Sequence, residues 1–169
     1  MEAKKIVITG GATRIGAAIA KSLAGYDTNI CLHFNKSKKK ALELKKTLEM
    51  LGSKVFLIKA NLGNTEETDK IIKTAFKKMQ GIDCLINNAS IFENDNLENF
   101  TTKSFEKHIN INLISPAILI KNLKKILKKN NGIVINIIDQ RIEKLTPYFF
   151  SYTLSKTGLG TLTTISAMK

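Results

Sequence analysis

Short, continuous runs of apolar residues recur along this chain, and longer amphipathic stretches separate them. The runs are rich in Val, Ile and Leu. Such runs are typical of parallel strands that are covered on both faces. They predict strands at residues 6–9, 29–34, 55–60, 84–87 and 133–138.

The stretches between the strands carry apolar residues at helical spacing. They predict helices at residues 14–24, 37–51, 65–79 and 101–129, and a last helix that begins near Tyr148 and runs toward the C-terminus. Asn64 is a suitable N-cap for the third helix, and Gly52 is a suitable end for the second. Pro116 falls within the fourth helix, where we expect a kink or a break.

Strands that alternate with helices predict the α/β class, with a doubly wound parallel sheet of the Rossmann type between two helical layers. No repeat, low-complexity tract or linker divides the chain, so residues 1–169 are interpreted as one domain. The apolar stripe of the last helix still continues at Met168, and no sixth strand follows. We therefore expect an incomplete, C-terminally truncated domain that lacks its last strands.

Composition places the chain among ordinary globular proteins, with 43% hydrophobic and 24% charged residues. No apolar run is long enough for a membrane span or a signal-peptide core, so we expect a cytoplasmic protein. Cys31 and Cys84 lie within apolar runs and are expected to be buried free thiols. Neither His33 nor His108 has partners at metal-ligand spacing, so no metal is expected.

The net charge of +13 comes mainly from lysines, concentrated at residues 36–46 and 121–129. These segments also carry Leu and Ile at helical spacing, which favours solvated outer faces of helices. A nucleic-acid surface is the alternative interpretation. However, Trp is absent, the lysines are not interleaved with aromatic residues, and no binding motif occurs. We expect neither a nucleic-acid partner nor a membrane partner.

Residues 9–16 read Thr-Gly-Gly-Ala-Thr-Arg-Ile-Gly and join the first strand to the first helix. A tight turn at a helix N-terminus directs backbone N–H groups and the positive end of the helix dipole toward a phosphate. Gly10 and Gly11 allow the turn, and Gly16 allows the helix to lie close to the sheet. A plain joint between strand and helix is the alternative interpretation.

The residues after the second strand bear on the choice of nucleotide. An NAD-selective fold usually has an acidic residue there, but this chain has Asn35, Lys36 and Ser37, and no acidic residue before Glu43. Lysine and serine can neutralise and hydrogen-bond a ribose phosphate, which favours NADP(H). Alternatively, Lys36 only opens a solvated helix.

Tyr152 and Lys156 are four residues apart on the last predicted helix and therefore share a face. We expect the ammonium to lower the pKa of the phenol, so that the tyrosine can donate or accept a proton near neutrality. Such a pair also occurs by chance on helix surfaces. Asp139 directly follows the fifth strand, where a doubly wound sheet places its active-site crevice.

Together these segments resemble the short-chain dehydrogenase/reductase family, and within it the pteridine reductases. Residues 9–16 are similar to the family's TGxxxGxG turn, with Arg14 in place of the middle glycine, as in pteridine reductases. Residues 87–90, Asn-Asn-Ala-Ser, are similar to NNAG, and residues 152–156 match YxxxK. Asp139 stands in place of the usual catalytic serine, an exchange that is also typical of pteridine reductases.

The resemblance implies an NADPH-dependent reductase of a pterin, dihydropteridine or dihydrofolate-like ring. The implied catalytic residues are Tyr152, Lys156, Asp139 and Asn112, the last holding a proton-relay water. Cofactor contacts are implied for Gly10, Arg14, Ile15, Gly16, Asn35, Lys36, Ser37, Asn61, Leu62, Asn88, Ala89, Ser90 and Lys156. Substrate contacts are implied for Arg14, Ser90, Phe92, Asp139 and Tyr152. Phe92 is expected to hold the ring against the nicotinamide, and the Asn61 side-chain carbonyl to accept a hydrogen bond from adenine.

Two other functions stay open. One is reduction of a carbonyl substrate such as an oxoacyl thioester or a steroid; the other is a non-catalytic remnant that binds NADP(H). Family members of full length form oligomers, so the resemblance implies that this chain can form a homo-oligomer. Their C-terminal part also covers the substrate, so we expect little or no turnover from this chain alone.

Overall fold

Parallel strands form one sheet in the computed structural model, which describes residues 4–127 and 131–168. Within that part of the chain the strands are β1 Lys4–Ile8, β2 Thr28–Phe34, β3 Lys54–Lys59, β4 Cys84–Asn87 and β5 Ile133–Asn136. Their order is β3-β2-β1-β4-β5, and every neighbouring pair is parallel. The predicted doubly wound sheet is confirmed, and each strand bound lies within two residues of its prediction.

Helices cover both faces of the sheet. They are α1 Arg14–Ser22, α2 Lys38–Met50, α3 Thr65–Met79, α4 Thr102–Ile109, α5 Ser115–Leu127 and α6 Phe150–Ala167, with a short 3₁₀ helix at Gln140–Ile142. The third predicted helix is confirmed residue for residue, and α6 begins two residues after Tyr148. The end predicted for the fourth helix, at residue 129, lies outside the described residues.

The predicted fourth helix is interrupted by a π-helical turn at Asn110–Ile114. There the N–H of Ser115 bonds to the carbonyl of Asn110, five residues earlier. Pro116 has no N–H to donate to the carbonyl of Asn112, four residues before it. The expected break is therefore present, and the π turn carries Asn112 into the interior, where it is fully buried.

Side chains of the central strands alternate between two apolar layers. On β1, Val7 packs against α3 and α5, while Ile6 and Ile8 point the opposite way, toward α1 and α2. Cys31 is completely buried and Cys84 is half-buried, both as free thiols. Burial raises the pKa of the Cys31 thiol to about 12. Both faces of the inner strands are covered, which is why their sequences are continuously apolar.

The two predicted helix ends are present. The Asn64 side-chain oxygen accepts hydrogen bonds from the N–H groups of Glu66 and Glu67 at 2.9 and 3.1 Å. Gly52 follows α2 with a φ of +96°, in the left-handed region that favours glycine.

The strand order places β1 between β2 and β4. Strands β2 and β3 are added on one side of β1, and β4 and β5 on the other, so the topological switch point lies beside β1. In such sheets ligands bind at the carboxyl ends of the strands on either side of this switch. At the far side, β5 is an edge strand among the described residues, and Ile133 is 61% exposed. In the part of the chain that the structure describes, no helix has the length and apolar character to cross a membrane.

Candidate active site

The glycine-rich turn after β1 is tightly folded. Gly10 has a φ of +60°, and its N–H donates to His33 Nδ1 at 3.1 Å. A Cβ added at Gly16 would lie 2.3 Å from the carbonyl oxygen of Gly10. Only glycine allows so close an approach of α1 to the turn.

The N-terminus of α1 is open toward the same side. Its N-cap residue, Thr13, makes no side-chain cap hydrogen bond, and the first turn of the helix has no acidic residue. Backbone N–H groups and the positive end of the helix dipole are therefore available to an anion. This arrangement suits a phosphate group.

Arg14, the first residue of α1, has a φ of +52°. An L-residue in the left-handed region costs roughly 1–2 kcal/mol. The strain falls at the position where the resembling family's motif has glycine. Strained backbone of this kind clusters at functional sites, which makes Arg14 a candidate binding residue.

The end of β4 is joined to the glycine turn through two polar side chains. Asn88 Nδ2 donates to the carbonyls of Thr9 and Gly10 at 2.9 and 3.2 Å. Thr9 Oγ1 accepts hydrogen bonds from the N–H groups of Asn88 and Ala89, both at 3.0 Å. These bonds fix residues 88–90 beside the glycine-rich turn.

Asn112 connects three elements from its π turn. Its Oδ1 accepts hydrogen bonds from Ser90 Oγ at 3.2 Å and from the N–H of Ile91 at 3.0 Å. Its Nδ2 donates to the Ile91 carbonyl at 3.1 Å and to Ser155 Oγ at 3.0 Å. The described protein groups thus satisfy both ends of this amide, which holds the β4 loop against α6.

Tyr152 and Asp139 meet at the carboxyl end of β5. Tyr152 Oη donates to Asp139 Oδ2 at 2.8 Å, and the N–H of Arg141 donates to Asp139 Oδ1 at 2.9 Å. Lys156, one turn after Tyr152, is 3% exposed, and its Nζ donates to the carbonyl of Ile137 at 2.7 Å. The predicted juxtaposition of phenol, ammonium and carboxylate is therefore present.

The expectation that the pKa of Tyr152 is lowered toward neutrality is wrong. Burial raises the pKa of Tyr152, and the hydrogen bond and negative charge of Asp139 raise it further. Burial alone would raise the pKa of Asp139. However, hydrogen bonds from Arg141 and Tyr152 and the charges of Arg141 and Lys156 lower it overall. The pair is therefore a neutral phenol that donates to an ionised carboxylate.

The pKa of Lys156 is also shifted from its ordinary value. Burial lowers its pKa to about 8, and the charge of Asp139 opposes part of that shift. Its ammonium stays predominantly charged at pH 7 but loses its proton in a range where ordinary lysines do not.

Phe92 presents a half-exposed ring beside Tyr152. The rings of Phe92 and Phe149 are stacked, with centroids 4.2 Å apart and planes 5° from parallel, and Tyr152 meets Phe92 edge-on at 4.7 Å. The Arg141 guanidinium carbon lies 4.3 Å from the Phe149 centroid and 5.5 Å from that of Phe92. Phe92 thus offers a surface that accepts a planar ring.

Most of the predicted site residues line one cavity of about 440 Å³. They are Gly10, Arg14, Ile15, Gly16, Asn35, Asn61, Leu62, Asn88, Ala89, Ser90, Phe92, Asp139 and Tyr152. Four other predicted residues do not line it. Asn112 and Lys156 lie buried behind the wall, while Lys36 and Ser37 follow Asn35 outside it.

Asn61 is already engaged by protein donors. Its Oδ1 accepts hydrogen bonds from the N–H of Gly63 at 3.0 Å and from Asn35 Nδ2 at 3.4 Å. Both lone pairs of this oxygen are therefore used, which disfavours the expected acceptance from adenine.

Sequence reasoning did not assign a role to His33. This buried residue lines the cavity; its Nδ1 accepts from Gly10, and its Nε2 lies 3.0 Å from the carbonyl of Ala60. Burial lowers its pKa, which keeps the ring neutral with the proton on Nε2. His33 supports the turn. The sequence signal for this role was the position of His33 near the end of β2, which a doubly wound sheet places beside the glycine turn.

The profile of the family described as short chain dehydrogenase matches residues 4–169. The chain therefore belongs to the short-chain dehydrogenase family.

Particular relatives differ in the substrates that their names state. The chain is 28% identical over 160 residues to a 3-oxoacyl-[acyl-carrier-protein] reductase of Synechocystis sp., covering 94% of this chain and 65% of that protein. It is 25% identical over 171 aligned residues to 3beta-hydroxysteroid dehydrogenase 1 of Eggerthella lenta, covering 100% of this chain and 66% of the relative. The chain thus spans about 65% of the length of these curated relatives.

Among solved structures, FolM alternative dihydrofolate reductase 1 from Brucella canis, complexed with NADP, is similar with a TM-score of 0.88 and 35% identity. The similarity covers 96% of this chain and 68% of that one.

Proposed function

We propose that this chain carries the cofactor-binding and catalytic part of an NADPH-dependent reductase of a pterin, dihydropteridine or dihydrofolate-like ring. The observation that carries the proposal is the hydrogen bond from Tyr152 to Asp139, which faces the same cavity as the Gly10–Gly16 turn. A proton donor and a phosphate cradle on one cavity are what a nicotinamide-dependent reductase needs.

The residues present fit the dinucleotide. The left-handed Gly10, the close approach at Gly16 and the open N-terminus of α1 would receive the pyrophosphate. Arg14 and the exposed Lys36 would neutralise a ribose phosphate, and no acidic residue lies between β2 and Glu43 to repel it. The similar Brucella canis protein was solved with NADP.

NADPH, when bound, supplies a hydride to the carbon of a C=N bond. The matching proton reaches the ring nitrogen from Tyr152, whose raised pKa keeps the hydroxyl protonated at neutral pH. The buried ammonium of Lys156, 5.8 Å from the Tyr152 ring centroid, stabilises the phenolate that forms. Lys156 would also hold the nicotinamide ribose hydroxyls.

A nitrogen heterocycle suits this site better than a ketone. Asp139 is ionised, so it can accept an N–H from the edge of the ring, a donor that a ketone lacks. Phe92 is half-exposed and lines this cavity, so its ring can stack on a planar substrate. Arg14 and Ser90 line the same cavity and would orient the polar edge of the ring.

The test begins with titration of the purified 169-residue chain with NADPH and NADH, followed by cofactor fluorescence. Single-turnover reactions with protein in excess then compare dihydrobiopterin and dihydrofolate with a ketone panel that includes an acetoacetyl thioester and a steroid. We expect tighter binding of NADPH than of NADH and slow oxidation of NADPH by the pterins.

The other outcomes are distinct. Faster reduction of the thioester would replace the pterin proposal with a carbonyl reductase like the Synechocystis relative. Binding without oxidation by any substrate would mark the chain as a nucleotide-binding remnant.

A further inference from the structure

Asp95 is a buried carboxylate that the proposed chemistry does not use. It lies in the loop between β4 and α4 and is 5% exposed. Its Oδ1 accepts a hydrogen bond from the N–H of Ser151 at 3.0 Å, and its Oδ2 accepts one from Ser151 Oγ at 2.5 Å. Its carbonyl accepts a third hydrogen bond, from the N–H of Phe150 at 3.2 Å.

These bonds cap α6 from a distant part of the sequence. The residue at the N-cap position, Phe149, is in the left-handed region and supplies no side-chain cap. A carboxylate at a helix N-terminus satisfies free N–H groups and is stabilised by the helix dipole. Asp95 takes this role although it lies 56 residues earlier in the chain than its partner Ser151. Ser151 directly precedes Tyr152.

The loop that contains Asp95 also carries a group that contacts Tyr152. Phe92, three residues before Asp95, meets the Tyr152 ring edge-on with centroids 4.7 Å apart. On its other side the loop is held by His108, whose Nε2 accepts from the N–H of Glu93 at 3.3 Å. Glu93 and Asp95 therefore anchor the loop just after Phe92, and Asp95 bonds it directly to α6.

We propose that Asp95 is a positioning residue, which sets the first turn of α6 so that the hydroxyl of Tyr152 reaches Asp139. The proposal rests on the proposed role of Tyr152 as proton donor. Its test reads the Tyr152–Asp139 geometry directly, so it gives an answer whether or not the chain turns over a substrate.

The readout is the pKa of the Asp139 carboxyl, followed by NMR of protein labelled with ¹³C at the aspartate carboxyls and assigned with Asp139→Asn. The hydrogen bond from Tyr152 lowers this pKa, so Tyr152→Phe should raise it. Asp95→Ala should give most of the same rise. In the double variant Asp95→Ala/Tyr152→Phe, the Asp139 pKa should equal that in Tyr152→Phe alone, because both changes remove the same hydrogen bond between Tyr152 and Asp139.

Two further variants distinguish positioning of the first turn of α6 from a general loss of stability. Asp95→Asn keeps an oxygen that accepts from the N–H of Ser151 and should leave the Asp139 pKa close to that of the wild type. Asp69→Ala removes another aspartate, on α3, whose side chain accepts from Asn122, and should leave it unchanged.

If Asp95→Ala does not fold, Ser151→Ala removes only the hydroxyl contact and should give a smaller rise. A wild-type Asp139 titration in Asp95→Ala, or in Ser151→Ala where the former is unfolded, would overturn the proposal. A rise in Asp139 pKa in Asp69→Ala equal to that in Asp95→Ala would do the same. Absence of turnover with the expected titration shifts would count against the proposed function alone.

Discussion

Tyr152 and Asp139 are joined by a 2.8 Å hydrogen bond in which the phenol is the donor. The carboxylate is fixed by the N–H of Arg141, and the phenol by its place in the first turn of α6. This bond adds to burial in raising the pKa of the phenol and adds to the Arg141 N–H in lowering the pKa of the acid. The site therefore rests with its proton on Tyr152.

Replacing Tyr152 with Phe should reduce the single-turnover rate of NADPH oxidation by about 10²- to 10⁴-fold, the usual contribution of a positioned acid. The dissociation constant for NADPH should change less than about twofold, since the phosphate cradle lies on α1 and the β1 turn. Tyr26→Phe is the control, because Tyr26 is 92% exposed and away from the cavity. Undiminished oxidation in Tyr152→Phe would remove the assignment.

Replacing Asp139 with Ser should move the preference from pterins toward ketones. The substitution removes the carboxylate that would accept a ring N–H and introduces a neutral donor suited to a carbonyl oxygen. We expect the ratio of pterin to ketone rates to fall by at least about tenfold, as loss of one charged hydrogen bond implies. Asp139→Asn, which is neutral and of similar size, controls for loss of charge alone. An unchanged ratio would contradict the role of Asp139 in selecting the substrate.

Lys156 should make folding stability depend on alkaline pH. Its pKa is about 8 in the folded chain and the ordinary 10.5 when unfolded, so the unfolded state binds more protons between these values. Stability from this group therefore rises with pH above about 8, by up to about 1.4 kcal/mol per pH unit. Below pH 8 both states are protonated, and the cost of burying the ammonium is fully present.

Urea unfolding of the wild type and Lys156→Met between pH 8 and 9 isolates this effect. The thiol of Cys31, with its pKa raised to about 12, acts in the opposite direction as pH approaches its ordinary value of 9.0, but it is present in both proteins and cancels in their difference. The wild type should gain about 1 kcal/mol relative to Lys156→Met across that interval. A difference that stays flat would show that the buried lysine does not titrate there.

Replacing Gly16 with Ala should damage the phosphate cradle. The new Cβ would lie 2.3 Å from the Gly10 carbonyl oxygen and 2.6 Å from Asn88 Nδ2, so the turn or α1 must move. We expect a loss of about 1–3 kcal/mol in unfolding free energy and at least tenfold weaker NADPH binding.

The matched control is Gly160→Ala in α6, where the nearest atom to the new Cβ is 3.8 Å away. Alanine is favoured over glycine in a helix by about 0.5–1 kcal/mol, so this variant should be slightly stabilised and bind NADPH normally. Equal NADPH affinity in the two variants would mean that the glycine turn does not hold the cofactor.

Replacing Lys36 with Glu should reduce the preference for NADPH over NADH. A charged hydrogen bond to a ribose phosphate is worth about 1.5–3 kcal/mol, which corresponds to roughly a 10- to 100-fold change in affinity. Lys40→Glu makes the same charge change on an exposed position of α2. If the two variants give the same ratio of dissociation constants, Lys36 is only a solvated helix residue.

Much of the fold follows from local sequence patterns. The continuous apolar runs predict all five described strands because both faces of the inner strands are covered, and Asn64 and Gly52 mark helix ends through their own backbone and side-chain chemistry. The parallel direction of the strands, which their alternation with helices predicts, places Gly10 and Asp139 at the same edge, since the carboxyl ends of parallel strands lie together.

The amino-acid sequence by itself determined which groups could form the site: a glycine turn, a carboxylate after β5, and a Tyr-Lys pair on one helix face. Only the tertiary structure decided how these groups act on one another. It reversed the expected shift in the pKa of Tyr152, because burial and the contact with Asp139 raise it while the Lys156 ammonium bonds to the Ile137 carbonyl. It also brought Asp95 to Ser151, a pairing across 56 residues that no local pattern specifies, because such contacts depend on how a loop and a helix pack together.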